Sequence, residues 1–252
     1  MHALPAGELL RLWDECRDAS PQARALALAA AADEDTCSVP PAERPIGRVT
    51  ALLLHLRTAL AGPRLAGTVV CPGCRGTVEF QASADALLAL EDKIVDAPPP
   101  LLHGGYELVW RCLTYRDLEA VAERPGADDP DLGARLLLER CLLSLRHEER
   151  TVDPASVELP EAVSEALSGA MSAADPLADV LVDLTCPDCA HAFTADFDVA
   201  AFVWAELESR GRQLLLDVDA LARSYGWSEP EVLALSERRR ASYLRIVTGE
   251  LP

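Results

Sequence analysis

The sequence predicts an α+β protein that is mainly α-helical, and three observations carry that prediction. Two cysteine pairs share one CPxC frame, Cys71 with Cys74 and Cys186 with Cys189, 115 positions apart (186 minus 71). Each pair is followed by a short alternating run, TVEFQA or HAFTADF, and then by an apolar pattern of helical period. Half of the 252 residues are apolar, enough to bury a sizeable core. Shifting by 115 also sets Val78 opposite Phe193, Asp85 opposite Ala200 and Leu87 opposite Phe202, so knuckle, strand and helix read as one unit used twice. The expected organisation is a zinc-stabilised body over residues 1–200, a split zinc ribbon with a helical insertion over 82–180, followed by a helical C-terminal tail over 201–252.

Taken in order, GELLRLWDECRD places Leu9, Leu10 and Trp13 at helical spacing. Ser20 and Pro21 then form an N-cap and first helical position for QARALALAAAA. DEDTCSVPPAERP is turn-rich and reads as a loop, and GRVTALLLHLRTALAG as a further helix that Pro63 and Gly67 flank at its exit. After the first knuckle, DAPPPLLHGG reads as a linker, YELVWRCLTY as a strand and RDLEAVAE as a short helix ended by RPGADDP. In DLGARLLLERCLLSLRHEE, Leu138, Cys141, Leu142 and Leu145 share one face of a predicted helix. An acidic, proline-bounded stretch ending at Asp175 and Pro176 then returns the chain to the second knuckle, so the insertion is expected to be mostly helical. Beyond it, Leu214, Val218, Leu221 and Tyr225 mark a helix that starts near Phe202 and stops at Gly226. SEPE forms a capping box with Ser228 as N-cap and Glu231 as its partner, and Ser236 caps a last helix through Val247.

Composition narrows the function classes. The formal charge is −18, Lys93 is the only lysine, and the segment from Trp204 onward carries −1 of that charge, with seven Arg against eight Asp and Glu. Such a surface repels nucleic acid and anionic membranes. No apolar run reaches the roughly 18 residues needed to cross a bilayer, because His55 and Arg57 interrupt the best one. Glu8 and the lack of early basic residues argue against a signal peptide. The expected setting is the cytoplasm, where CxxC pairs serve as metal ligands more often than as disulfides.

Two CPxC knuckles fit a single tetrahedral, all-thiolate, structural zinc site built from Cys71, Cys74, Cys186 and Cys189, one ion per chain, with no open coordination position for catalysis. A redox CxxC belongs at a helix N-terminus, whose dipole lowers the thiol pKa, whereas strand-like residues follow both pairs here. Cys112 in a strand pattern and Cys141 on an apolar face read as core thiols. Cys16 and Cys37 carry no signal, and His191 reads as a neighbour of the site. There is no G-x-S-x-G, Walker loop or G-x-G-x-x-G, and RHEER lacks the second histidine of a zinc protease, so no catalytic residue and no enzyme are predicted. LARSYGWSEPEVLAL has helix-turn-helix spacing, with Ala222, Gly226 and Val232 at compatible positions. Its second helix would nonetheless open with Glu229, Pro230 and Glu231, which aim carboxylates at phosphates. The tail instead concentrates Trp227, Leu235, Tyr243 and Leu244, more apolar surface than three short helices bury among themselves. Trp227, Arg239 and Tyr243 are therefore the candidate partner-binding residues.

Three stretches together carry a resemblance: RPIGRVTALLLHLRTALAGPRLAG before CPGC, DPLADVLVDLTCPDCAHAFTADFDVAAFVWAELE, and DALARSYGWSEPEVLALSERRRASYLRIV. The chain resembles the T-even-type baseplate hub assembly chaperones encoded among contractile phage tail and injection-system genes. The most specific part is YGWSEPEVLALSERRRASYL, through Tyr225, Gly226, Trp227, Leu235, Arg238, Arg239, Tyr243 and Leu244. Ala190 departs from that pattern by standing where a glycine is expected, and ALAG stands before the first knuckle where an aromatic is common. The resemblance implies a non-enzymatic assembly factor that acts in the cytoplasm on a baseplate or hub protein, with no nucleic acid and no membrane as partner. The alternatives are a zinc-binding baseplate component retained in the particle and a zinc-ribbon DNA-binding regulator.

Overall fold

The computed structural model describes residues 4–33, 39–126, 128–148, 150–154 and 157–249, so Cys37 lies outside the described residues. The fold is α+β and built on two hydrophobic cores. The larger gathers α1 (Ala6–Cys16), α2 (Pro21–Ala32), α3 (Ile46–Ala61) and the 27-residue α8 (Val199–Tyr225), which together bury Leu9, Trp13, Leu28, Leu53, Leu54, Trp204 and Leu207. Local chemistry starts these helices where the sequence places them. The Ser20 hydroxyl accepts from the Ala23 N–H at 3.2 Å with Pro21 in the first turn, and the Asp198 carboxylate accepts from the Ala201 N–H at 2.8 Å. Gly211 lets α1 cross close to α8: a Cβ there would stand 2.8 Å from the Trp13 ring. The stretch assigned to the start of a C-terminal tail is thus the central helix of the main core, since Val203, Trp204, Leu207 and Leu214 are all buried in it.

The smaller core lies in the segment between the two cysteine pairs. A four-stranded antiparallel sheet, ordered β3 (Leu101–His103), β4 (Tyr106–Trp110), β5 (Leu142–His147) and β6 (Arg150–Val152), packs Leu108, Trp110 and Leu145 with Val163 and Leu167 of α7 (Glu161–Ala174). Three expectations are corrected here. DAPPPLLHGG is only partly a linker, because Leu101–His103 pairs with β4 across Gly104 and Gly105, whose φ values of +58° and +80° suit a tight two-residue hairpin turn. The long predicted helix stops at Cys141 as α6 (Pro130–Cys141), and Leu142–His147 becomes a strand in register with β4, Leu145 opposite Leu108. The spacing of Leu138, Cys141, Leu142 and Leu145 fits a helix, but the free edge of β4 supplies hydrogen bonds to residues 142–147. A bulge that leaves Leu143 unpaired, opposite Val109 and Trp110, breaks the alternation that would have announced the strand. The acidic return also contains α7, one face of which closes this core.

The cores meet at a polar joint. Asp175, at the end of α7, is buried and accepts the Gly47 N–H at 2.9 Å, while the Val95 N–H donates to the Ala174 carbonyl at 2.8 Å. Burial pushes the Asp175 carboxyl above its ordinary pKa. A Cβ on Gly47 would fall 1.8 Å from the second Asp175 oxygen, so α3 can meet this carboxylate only with glycine there. Beside this joint, α5 (Tyr115–Ala122) begins at a capping box: the Thr114 N–H and hydroxyl both donate to Asp117, at 3.1 and 2.7 Å. Among the described residues, no helix is long and apolar enough to cross a membrane.

Candidate metal centre

Each cysteine pair sits at the tip of an antiparallel hairpin. Strands β1 (Arg64–Val70) and β2 (Thr77–Ser83) pair along seven residues and flank CPGC; β7 (Leu181–Thr185) and β8 (Ala192–Asp196) pair along five and flank CPDC. Neither β1 nor β7 is legible in the sequence reading, which finds only the strands after the knuckles. At the first tip the Cys71 N–H donates to the Gly76 carbonyl and the Arg75 N–H to the Cys71 carbonyl, both at 2.9 Å. At the second, Cys186 donates to His191 and Ala190 to Cys186, again at 2.9 Å. The residue after each second cysteine takes a left-handed backbone, φ +64° at Arg75 and +56° at Ala190, so Ala190 adopts the conformation that favours glycine.

The tips face one another, and the four sulfurs lie within 4.8 Å of each other. The contacts across the tips are Cys71 Sγ to Cys189 Sγ at 3.7 Å and Cys74 Sγ to Cys186 Sγ at 3.6 Å. A tetrahedron with zinc–sulfur bonds of about 2.3 Å has edges of about 3.8 Å, so this donor set fits one ion with little movement. Cys71 and Cys186 are buried with Val78 in a small apolar cluster, whereas Cys74 and Cys189 are exposed. Close approach at the tips needs small residues: a Cβ on Gly73 would stand 3.3 Å from the His191 side chain. His191 itself is outside the sulfur cluster and stacks on Phe193 at 6.1 Å.

The four thiols set one another's charge. The Cys74 and Gly73 N–H groups hydrogen-bond the Cys71 sulfur and hold its pKa down to about 7. At Cys189 the His191 N–H favours the thiolate, but desolvation and the three neighbouring sulfurs outweigh it and push the thiol up to about 12. One thiolate can form easily; gathering four negative charges in this space requires a compensating ion. Four cysteines this close could hold one metal ion. The remaining described thiols are different in kind: burial raises Cys112 to about 11 and Cys141 to about 12, as befits packed core side chains.

The residues picked out in the tail are brought together. Trp227 stacks on Tyr225 with ring centroids 4.7 Å apart, and Tyr243 meets Trp227 edge-on at 4.9 Å. Arg239 is exposed on α10 (Glu237–Val247), its N–H donating to the capping Ser236 hydroxyl at 3.3 Å. The Ser228 and Glu231 capping box also forms, at 2.8 and 2.6 Å, at the start of α9 (Glu229–Leu233). The tail docks on the body through residues that sequence reasoning missed. Val232 of α9 is fully buried, and Arg240 of α10 donates to Asp217 of α8 at 3.0 Å, both side chains under one-tenth exposed. The signal for that pair was present: Asp217 lies three residues from Leu214 and four from Leu221, within the apolar face of α8. Comparison with protein-family models, with curated proteins and with solved structures found no match.

Proposed function

We propose that this chain is a non-enzymatic assembly factor for the baseplate or hub of a contractile phage tail or phage-tail-like injection system, acting in the cytoplasm and held in shape by one structural zinc. The observation that carries the reading is the resemblance over YGWSEPEVLALSERRRASYL, whose aromatic residues Tyr225, Trp227 and Tyr243 meet where the end of α8 and the turn after it face α10, the helix that carries the arginines. Cys71, Cys74, Cys186 and Cys189 would hold the zinc, and an ion with four thiolates supplies a crosslink and no open coordination position. In this reading the two hairpins are copies of one knuckle unit. The offset of 115 supports it: Val69 pairs with Val78 where Leu184 pairs with Phe193, helices begin at Ala84 and Val199, and left-handed residues stand at Arg75 and Ala190. Trp227, Arg239 and Tyr243 would form part of the contact with the baseplate or hub protein.

The test is deletion of the gene in a host that makes the particle, followed by electron microscopy and by protein analysis of purified wild-type particles. The reading expects sheaths or tubes without complete baseplates in the deletion, and finished wild-type particles that lack this chain. Normal particles in the deletion would overturn it. Stoichiometric presence in wild-type particles would make the chain a structural baseplate component instead.

A further inference from the structure

Most arginines of this acidic chain are spoken for. Arg57 pairs with Glu206, Arg111 and Arg140 with Asp117, Arg210 with Glu237, and Arg240 with Asp217. Among the described residues the rule fails singly at the exposed Arg64, Arg75, Arg124 and Arg150, which stand at separate places in the fold, and in a group only on helix α10. Among the described residues Arg238, Arg239 and Arg245 have no carboxylate partner, and all three are exposed. Arg238, Ser242 and Arg245 follow one another at i, i+4 and i+7 along the outward face, opposite Arg240. Beside them run Arg239, Tyr243 and Ile246, also at i, i+4 and i+7, with Ile246 54% exposed and Tyr225 39% exposed at the root of the aromatic cluster. The face therefore combines three unneutralised cations with an apolar ledge.

Stability does not account for this arrangement. Arg238 and Arg239 occupy the first turn of α10, after the Ser236 cap, where the helix dipole disfavours cations by a few tenths to about 1 kcal/mol each. Arg240, in the same turn, is compensated by Asp217; its two neighbours are not. Local rules broken without local compensation mark functional surfaces.

We propose that the outward face of α10 docks an acidic, amphipathic segment of a partner protein, carboxylates meeting Arg238, Arg239 and Arg245 and an apolar side chain resting against Ile246 and Tyr243. This names the chemistry of the partner in the assembly role proposed above and rests on that reading. Charge selects the occupant: a chain of net charge −18 attracts an anionic partner where several of its free cations share one face, as Arg238, Arg239 and Arg245 do on α10. A peptide segment can stay within this one face. A nucleic acid, whose affinity grows with the number of phosphates neutralised, would run onto the acidic remainder of the surface.

The experiment uses the full zinc-loaded chain and the triple variant Arg238→Glu, Arg239→Glu and Arg245→Glu. Because none of the three side chains is buried, the variant should keep its zinc and melting temperature. The probe is a short amphipathic helical peptide with leucine at i, i+3, i+4 and i+7 and glutamate at the remaining positions, with its lysine counterpart and a single-stranded oligonucleotide as comparisons. The expected result is glutamate-peptide binding that the triple variant weakens at least about tenfold, that Arg135→Glu on α6 leaves unchanged, and that the lysine peptide does not reproduce. No binding, or binding indifferent to the triple variant, would overturn the proposal. Tighter binding of the oligonucleotide lost in the same variant would also overturn it, in favour of nucleic acid, and a dimer broken by the variant would overturn it in favour of a second copy. A failed peptide experiment leaves the gene-deletion result unaffected, so the two readings fall separately.

Discussion

The hairpins that carry the cysteines and the four-stranded sheet between them are both short antiparallel β-structure, yet they are held by different means. The sheet has a core of its own: Leu108, Leu142 and Leu145 pack with Trp110 on Val163 and Leu167 of α7. The hairpin tips share only Cys71, Val78 and Cys186 as buried residues, and two of those three are sulfur donors. Both strands of the second hairpin alternate between exposed and half-buried positions along their whole length. An isolated two-stranded hairpin is marginal in water and needs a helix, a third strand or a crosslink. The contrast teaches that the main core reaches the hairpins at Leu65 and Phe80 but not at their tips, where four cysteines stand instead and a bound ion would supply the hold.

The sharpest way to break the comparison is to remove the crosslink. Wild-type protein should contain one zinc per chain, and Cys186→Ser should lose it with a fall in melting temperature of more than about 10 °C, since structural zinc sites are worth roughly 10–16 kcal/mol in apparent terms. Hydrogen exchange should show residues 181–196 losing protection first while 106–110 and 142–147 keep theirs. A metal-free wild type, or an equally stable Cys186→Ser, would refute the contrast.

The matching change in the sheet is Leu145→Ala. Leu145 is fully buried opposite Leu108, so its truncation should cost about 2–5 kcal/mol. Zinc content should stay at the wild-type value, measured by metal analysis alongside chemical denaturation. Loss of zinc in this variant would mean that the two regions are one cooperative unit.

Acid acts on the sheet side through Asp117, which is 1% exposed and bonded to Arg111 at 2.6 Å and Arg140 at 3.0 Å. Burial alone would raise its pKa, but the Arg111 and Thr114 hydrogen bonds outweigh it and hold the carboxyl down to about 2, below the ordinary 3.8. Because the folded value is depressed, this contribution is present above about pH 4 and is lost as pH falls toward about 2. Its worth is about 2 kcal/mol. Asp117→Asn should therefore flatten the acid limb of the stability profile over that window, and an unchanged profile would show that the triad contributes nothing.

The smallest effect returns to the hairpins. Ala190→Gly relieves a left-handed backbone at φ +56° and should stabilise the zinc-loaded protein by up to about 1 kcal/mol. The same exchange at Ala192, inside β8, should destabilise it slightly. Equal effects at both positions would mean that the tip geometry is not under strain.

What the sequence determined by itself was local or exact in spacing. The caps at Ser20, Ser228 and Ser236, the helix stop at Gly226 and the strand at Tyr106–Trp110 are short-range chemistry that few other conformations satisfy. The four cysteines could be grouped because a tetrahedral thiolate site admits few arrangements. Only the tertiary structure decided the rest. Leu142–His147 became a strand because β4 offered an edge, and β1 and β7 are strands through their antiparallel pairing with β2 and β8. Helix α8 became the spine of the main core because α1, α2 and α3 bury their apolar faces on it. Asp217 and Arg240 became a buried pair because docking α10 on α8 removes both from water, where each needs the other.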